Sequence, residues 1–502
     1  MESGKLSSQI VEESKLTTSL TDNIVLIRTI FKNNDTLTMR QLETPTDPAI
    51  KFCLFFSDGM VNNRLINQDI IRPLLEYRPD KKEPDLIDLI AKNITLSDTV
   101  EKTTDMEKIV QAIVYGDTVL LADGFMEALV LNTKGWQSRS IEEPENERIL
   151  KGPREGFTES LMVNLSLLRR RIRTPDFKME YLNLGVRTKT HACICYIDGI
   201  AAPEVLKELK SRLQKINIDG ILDVNYISEI IKDKPNSPIE TIGSSERADV
   251  IAAKLLEGRV ALVVDGTPVV LTVPHLFIEY FQSDEDYFIN YMFASINRIL
   301  RILAFIFSIS MPALYLSLAT FHQEMLPTSL IMSIAAARQG VPFPTIVEGT
   351  FMLVIFEMLR ESGSRMPGNM GTALSIVGAL VIGQAAVQAK IVSAPLIIIV
   401  AVTGIAGLMV PLIKGIGVPL RFILLFLSGL IGLYGYMFGM LAFLAYIFSV
   451  TSFGVPILTS AYSNDQQDRK DILHRTSWKN MITRPKYLSP NKIRNASKGD
   501  SQ

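Results

Sequence analysis

The sequence predicts an α/β N-terminal half with two duplicated subdomains, then an all-α polytopic transmembrane domain of about four full spans and a broken, re-entrant hairpin. Three observations carry this prediction. Charge is segregated along the chain, a strand-and-turn pattern recurs after about 140 residues, and the charge-poor region holds apolar runs of membrane length.

The segregation is plain in the numbers. The chain has 502 residues, 21% charged and 47% hydrophobic, with 52 Lys and Arg against 53 Asp and Glu. Mean hydropathy is +0.21. About ten of those charges fall between Ile302 and Ser460. This pattern excludes a wholly soluble enzyme, a disordered chain and a disulfide-rich scaffold. Residues 1–301 carry roughly -8, the apolar region roughly +2 and the tail roughly +5. An acidic soluble half argues against nucleic acid as a partner. Three cysteines (Cys53, Cys193 and Cys195) form no framework and fit a reducing compartment. The polar start is no signal peptide, so the N-terminal half is expected to stay in the cytoplasm.

The expected domains are a polar N-terminal extension (1–45), an α/β subdomain (46–150) and a helical linker (151–185), then a second α/β subdomain (186–295), a transmembrane domain (296–460) and a basic cytoplasmic tail (461–502). The duplication rests on matched Asp-Gly pairs. Phe52 to Gly59 is an apolar run ending in Asp58-Gly59, and Cys193 to Gly199 repeats it 140 positions later. Asp123-Gly124 and Asp265-Gly266 lie between apolar runs, 142 positions apart. Asp-Gly between apolar runs signals a hairpin with a type I′ turn. Turn chemistry outweighs catalysis for these four aspartates, because they recur at matched positions. Helices are expected at Asn67 to Tyr77, Met106 to Val114, Pro203 to Ile216 and Ala248 to Leu256.

The linker carries Gly152-Pro153-Arg154-Glu155-Gly156-Phe157, then a helix ending in Arg169-Arg170-Arg171. Basic residues there complement the helix dipole. A phosphate or headgroup site is one reading. A solvated helix end or a domain contact has more weight.

In the apolar region, Ile302 to Thr320, Met370 to Val387 and Ala394 to Ile413 are candidate spans. Leu420 to Val450 exceeds one span and is expected to be tilted, kinked or projecting, with Gly435 and Gly439 as a close-packing pair. Leu326 to Leu359, interrupted by Pro327, Pro342 and Pro344 and carrying Arg338, Glu348 and Glu357, reads as a broken hairpin. Basic residues at both ends place both ends in the cytoplasm and require an even span count, with six spans as the alternative to four.

Carboxylates at membrane depth are functional candidates. Glu348 and Glu357 are nine residues apart, about 900° of helix, so they face opposite sides. Glu357 is expected to pair with Arg360, Glu361 with Arg365, and Glu348 with Arg338. The small-residue run Met370 to Val387 reads either as close packing or as a pore lining. The lining would comprise Gly371, Ser375, Gly378, Leu380, Gly383 and Gln384, with a constriction at Leu380. No nucleophile elbow, P-loop or zinc spacing occurs, so no enzyme, cofactor or metal is expected. The thiols of Cys193 and Cys195 should share one strand face. The basic tail could meet anionic membrane lipid.

Several segments in one order resemble the A subunits of spore-germination nutrient receptors (GerA type). They are Pro342 to Glu348, Glu357 to Pro367, Gly371 and Val377 to Val387, with Gln137-Ser-Arg-Ser, Glu143-Pro144, Gly152 to Phe157, Leu168 to Ile172, Gln282-Ser283 and Asp286-Tyr287. The resemblance covers roughly residues 45 to 460. Glu246-Arg247-Ala248-Asp249 departs from it, since relatives commonly have proline after the arginine. The resemblance implies a multi-pass protein of the endospore inner membrane, acting with a transporter-like B subunit and a C-subunit lipoprotein. It implies a homo-oligomer, a pentamer, forming a nutrient-gated cation channel that triggers germination. A non-conducting membrane scaffold, or the paralogue associated with dipicolinate release, are the alternatives. A solute transporter lacks support, because no inverted repeat of spans is found.

Overall fold

A computed structural model describes residues 6–45, 49–76, 86–91, 100–135, 147, 149, 151–364, 378, 381–459, 471–490 and 493–494. The N-terminal half holds two five-stranded antiparallel sheets of identical strand order. The first unit runs α1 (Ser7–Glu13), α2 (Leu20–Ile30), β1 (Leu37–Glu43) and β2 (Lys51–Ser57). A helical stretch follows: α3 (Asn63–Leu65), a π-helical turn (Ile66–Ile71) and α4 (Arg72–Glu76). Then come α5 (Leu86–Leu89), β3 (Val100–Thr103), α6 (Met106–Tyr115), β4 (Thr118–Ala122) and β5 (Ala128–Leu131). The second unit runs α7 (Leu161–Arg171), β6 (Phe177–Leu184), β7 (Thr190–Ile197), α8 (Pro203–Gln214) and α9 (Val224–Ile231). It closes with β8 (Gly243–Ser245), α10 (Ala248–Leu256), β9 (Val260–Val264) and β10 (Val270–Val273). The strand orders are β1-β2-β4-β5-β3 and β6-β7-β9-β10-β8.

Central strands read as unbroken apolar runs because both faces of each sheet are covered. In β7, Cys193, Cys195 and Ile197 pack under α7 and α10. Ala192, Ile194 and Tyr196 face α8 and α9. The two thiols share a face as expected, with their sulfurs 3.9 Å apart. Strand β2 divides the same way, with Cys53 and Phe55 toward α2 and α6, and Phe52, Leu54 and Phe56 toward the π-helical stretch.

The repeat is longer than the spacing of Asp-Gly pairs suggests. Residues 7–43, read as an extension, form two helices and an edge strand of the first unit. Ile27 and Ile30 are fully buried. The stretch 151–185, read as a linker, supplies the matching helix and edge strand of the second unit. The Asp-Gly pairs explain the match. Asp123 Oδ1 accepts the Leu20 backbone N–H (3.2 Å), and Asp265 Oδ1 accepts that of Leu161 (2.9 Å). Each aspartate thus caps the helix that precedes the edge strand of its own unit, α2 and α7. The turns are wider than type I′: Gly124 and Gly266 have φ of +86° and +88°, while the preceding aspartates stay at negative φ.

The C-terminal half is helical. Its helices are α11 (Tyr291–Thr320), α12 (Thr328–Arg338), α13 (Thr345–Ser364), α14 (Ala394–Leu408), α15 (Lys414–Ile431) and α16 (Leu433–Phe448), with a helical segment at 381–388. By length and composition two segments could cross a membrane, Tyr291–Thr320 and Pro411–Ile431. Leu420 to Val450 is not one tilted helix. The chain reverses at Gly432 (φ +63°, ψ -140°), a backbone that favours glycine. There α16 folds back on α15, and a Cβ at Gly435 would clash with the Leu427 carbonyl oxygen.

Contacts order the helices end to end. Helix α11 starts at the α/β half and ends at Phe321, against Gly432. Helix α13 starts beside that far end, with Ile346 on Gly429, and finishes with Glu361 3.8 Å from Lys414. The segment at 381–388 runs outward, from Gly378 beside Leu359 toward Lys390 beside Gly340. Helix α14 returns, from Leu396 beside Gly349 to Gly407 beside Arg421. Among the described residues α11, α13, α14, α15 and α16 run between the two ends of the bundle, and two segments, Tyr291–Thr320 and Pro411–Ile431, have the length and apolar composition of a span. The charges of α13 find partners inside the bundle. Helix α12 lies at the far end with none of its residues buried.

Candidate functional site

Glu348 sits in the first turn of α13 and is 1% exposed. Its Oε2 accepts the backbone N–H of Ser393 (3.1 Å), the cap residue of α14, and Arg338 Nη2 lies 3.6 Å from Oε1. The carboxylate therefore meets the N-terminal ends of two helices and one guanidinium, all favouring its charge. Glu357 pairs with Arg360, as expected, and with Arg421 Nη1 at 2.9 Å. Arg421 Nε also donates to the Ser308 carbonyl oxygen (2.6 Å), so three helices meet on one guanidinium. Glu348 and Glu357 do not approach each other. Arg365, the expected partner of Glu361, lies outside the described residues. Arg421 was missed by sequence reasoning, although it is the one charge between Leu420 and Val450.

Of the six residues read as pore lining, Gly371, Ser375 and Leu380 lie outside the described residues. So do Gln137 to Ser140 and Glu143-Pro144. Gly378 packs against Leu359, and Gly383 is buried against Ile397. Gln384 is exposed, as are Val381 and Ile382. The segment thus has one packed face and one open face carrying its polar group.

The linker motif holds the two units together. Asn34 Oδ1 accepts from Arg169 Nη2 (3.2 Å), and Arg169 Nη1 donates to the Phe177 carbonyl (3.1 Å). Arg169 is 2% exposed, and burial lowers its pKa to about 10. Arg170 and Arg171 flank Glu155, at 3.5 and 2.7 Å. Arg247 Nη2 donates to the Pro153 carbonyl (3.2 Å), and Gly156 pairs with Arg247 across a β-bridge. Gly152 has φ +135° beside Phe288, where a Cβ would clash. Arg169 therefore serves a contact between units, Arg170 and Arg171 close the linker on itself, and Arg154 is engaged as well. The departure at Ala248 leaves Arg247 as the cap residue of α10, paired with Asp249 (2.6 Å).

The second unit carries the bundle through a buried charge cluster. Asp286 is fully buried and bridges Arg298 Nε (3.0 Å) and Arg301 Nη1 and Nη2 (both 2.8 Å) at the start of α11. Burial raises its pKa, and the arginines outweigh that, so the net shift is downward. Asp471, from the tail, takes the other side of Arg298 (2.8 Å), and the Tyr287 hydroxyl donates to it (2.7 Å). Gln282 donates to the Asp471 carbonyl (2.7 Å). Gln282, Asp286 and Tyr287 drew notice as motif residues, and their common role is this junction. The tail continues over the second unit, where Leu488 is buried and Ser489 donates to the Ile200 carbonyl (2.6 Å). The end of α16 docks there too, with Asp233 accepting from the Phe453 N–H (2.8 Å).

A family model described as Bacillus/Clostridium GerA spore germination protein matches residues 25–487. The match reaches further at both ends than the 45 to 460 read from motifs. Spore germination protein KA of Bacillus subtilis is 40% identical over 473 residues, covering 94% of this chain and 87% of the relative. The uncharacterized membrane protein YfkQ of Bacillus subtilis is 41% identical over 434 residues, covering 86% and 84%. Spore germination protein B1 of the same organism is 37% identical over 447 residues, covering 88% and 92%. Among solved structures, the N-terminal domain of the A subunit of the Bacillus megaterium spore germinant receptor GerK3 is 31% identical. It covers 53% of this chain and 98% of that chain, with a TM-score of 0.43.

Proposed function

This chain belongs to the Bacillus/Clostridium GerA family of spore germination proteins, and on that premise we propose that it is the A subunit of a germinant receptor, forming an oligomeric nutrient-gated cation channel. The observation that supports this best is the family match across residues 25–487, which takes in both the α/β half and the bundle. The fold supports the same reading. The bundle turns large apolar side chains outward, among them Phe293, Phe307, Phe426 and Phe438, which suits lipid. Its buried charges are compensated within it, which suits a protein of membrane depth. The open face at Gln384 suits a lining shared between copies of the chain.

In this reading the protein sits in the inner membrane of the endospore, with both ends cytoplasmic and a B subunit and a C-subunit lipoprotein as partners. Opening would begin at the α/β half and reach α11 through Asp286 and Arg298. The test is potassium flux from liposomes holding this chain and its partners, with and without nutrients. Nutrient-dependent flux that rises at rest in Leu380→Ala is the expected result. No flux from a folded, oligomeric complex would refute conduction.

A further inference from the structure

A cavity of about 640 Å³ lies where the second unit, the junction and the bundle meet. That volume falls in the range of small-molecule sites, about 300–1,000 Å³. Among the described residues its walls carry more carboxylates than cations. Most of these charges are already matched within the wall. Arg259 Nη2 is 2.8 Å from Glu279 Oε1, and Lys254 Nζ and His275 Nδ1 each lie 3.3 Å from Glu279 Oε2. Arg259 and Lys254 hold the Glu279 carboxyl well below its ordinary range despite its burial, so they are not free to take an anion.

Among the described residues, two partly buried carboxylates on the cavity wall, Glu147 and Asp284, have no cation at pairing distance. Glu147 Oε2 accepts from the Ser245 hydroxyl (2.6 Å) and the Glu246 N–H (3.2 Å), both neutral. Asp284 has neither a hydrogen bond nor an ion pair among the described residues; Lys254 and Arg247 act on it only from beyond pairing distance. Burial pushes both carboxyls upward, and Asp284 adds repulsion to Glu147. Both side chains are partly buried, and Asp284 keeps its acceptor oxygens free for a donor that a ligand brings into the cavity.

We propose that this cavity is a binding site for a small aliphatic amine, its ammonium group held between Asp284 and Glu147. A metal ion does not fit, because no three His, Cys, Asp or Glu side chains converge as ligands among the described residues. An ammonium carries three donors for two acceptor groups. Val224, Val250, Leu271 and Leu412 offer apolar wall for the alkyl part. The position links binding to the rest of the molecule: Asp284 is two residues before Asp286, which grips α11.

The test uses the full-length chain purified in detergent, titrated calorimetrically at low ionic strength with butylammonium and with putrescine. Calcium and acetate serve as controls. Saturable amine binding, at least about tenfold weaker in Asp284→Asn, is the expected result; tenfold corresponds to 1.4 kcal/mol. Glu147→Gln gives the same readout should Asp284→Asn fail to fold. No saturable amine binding to the native chain, equal affinity in both folded variants, or equal competition by calcium would each overturn the site. Ion flux is a separate readout, so the proposed channel and the amine site fail independently.

Discussion

Glu357 is the shared counter-ion of two guanidiniums, and the order of damage among its neighbours follows. Removing one partner from a buried pair costs about 3–5 kcal/mol when a charge is left alone. Arg421→Met leaves Glu357 with Arg360, so a pair survives. Glu357→Gln leaves Arg421 and Arg360 side by side without an anion. Thermal unfolding of detergent-purified protein should therefore show Glu357→Gln as the more destabilised. The reverse order would mean that Arg421 is held chiefly by the Ser308 carbonyl. Asp286 makes a pH prediction at the same scale. Its folded-state pKa lies below the unfolded value of about 3.9. Its stabilisation is then fully present above that value and is lost as pH falls through the depressed one. Asp286→Asn should flatten the acid limb of unfolding relative to the native protein; an unchanged limb would move the acid sensitivity elsewhere.

At the scale of elements, the aspartate caps tie each hairpin to the helix that precedes the edge strand of its unit. Asp265→Ala should speed amide exchange in the first turn of α7 and cost about 1 kcal/mol, with Asp123→Ala doing the same at α2. Exchange that is unaltered at α7 would show the turn glycine, rather than the cap, to hold the hairpin. These elements also show what the sequence could disclose. Central strands were legible because burial on both faces demands unbroken apolar runs, as in Phe52 to Phe56. Edge strands were not. In β1 most side chains are partly or fully exposed, and β8 is the short polar run Gly243-Ser-Ser245, so neither carries an apolar signal. That is why residues 7–43 looked like an extension. The Glu357–Arg360 pair was legible because helix geometry fixes neighbours three apart. Arg421 was not, since its partner comes from a helix 64 positions away in sequence. Likewise, four glycines between Gly429 and Gly439 marked close packing, yet only tertiary context selects Gly432 as the reversal.

Across the whole molecule, the second α/β unit, the bundle and the tail converge on Arg298. A basic tail suggested lipid contact, because net charge says nothing about a single aspartate within it that finds a buried arginine. Asp471 gives the tail a fixed seat, and Leu488 and Ser489 extend it over the second unit. Arg298 is 1% exposed and faces Asp286 and Asp471 together. With Asp471 neutral, Asp286 alone must balance Arg298 and Arg301, and the Tyr287 hydroxyl and Gln282 lose an anchored acceptor. The start of α11 should then loosen while the two sheets stay intact. Hydrogen exchange should rise at residues 291–301 in Asp471→Asn, with β7 and β9 unchanged. Asp471→Glu keeps the charge on a longer stem and should recover part of the protection, which simple loss of packing would not predict. Protection at 291–301 equal to the native protein in Asp471→Asn would show that Asp286 suffices to anchor α11, and that the tail rests on the junction without holding it.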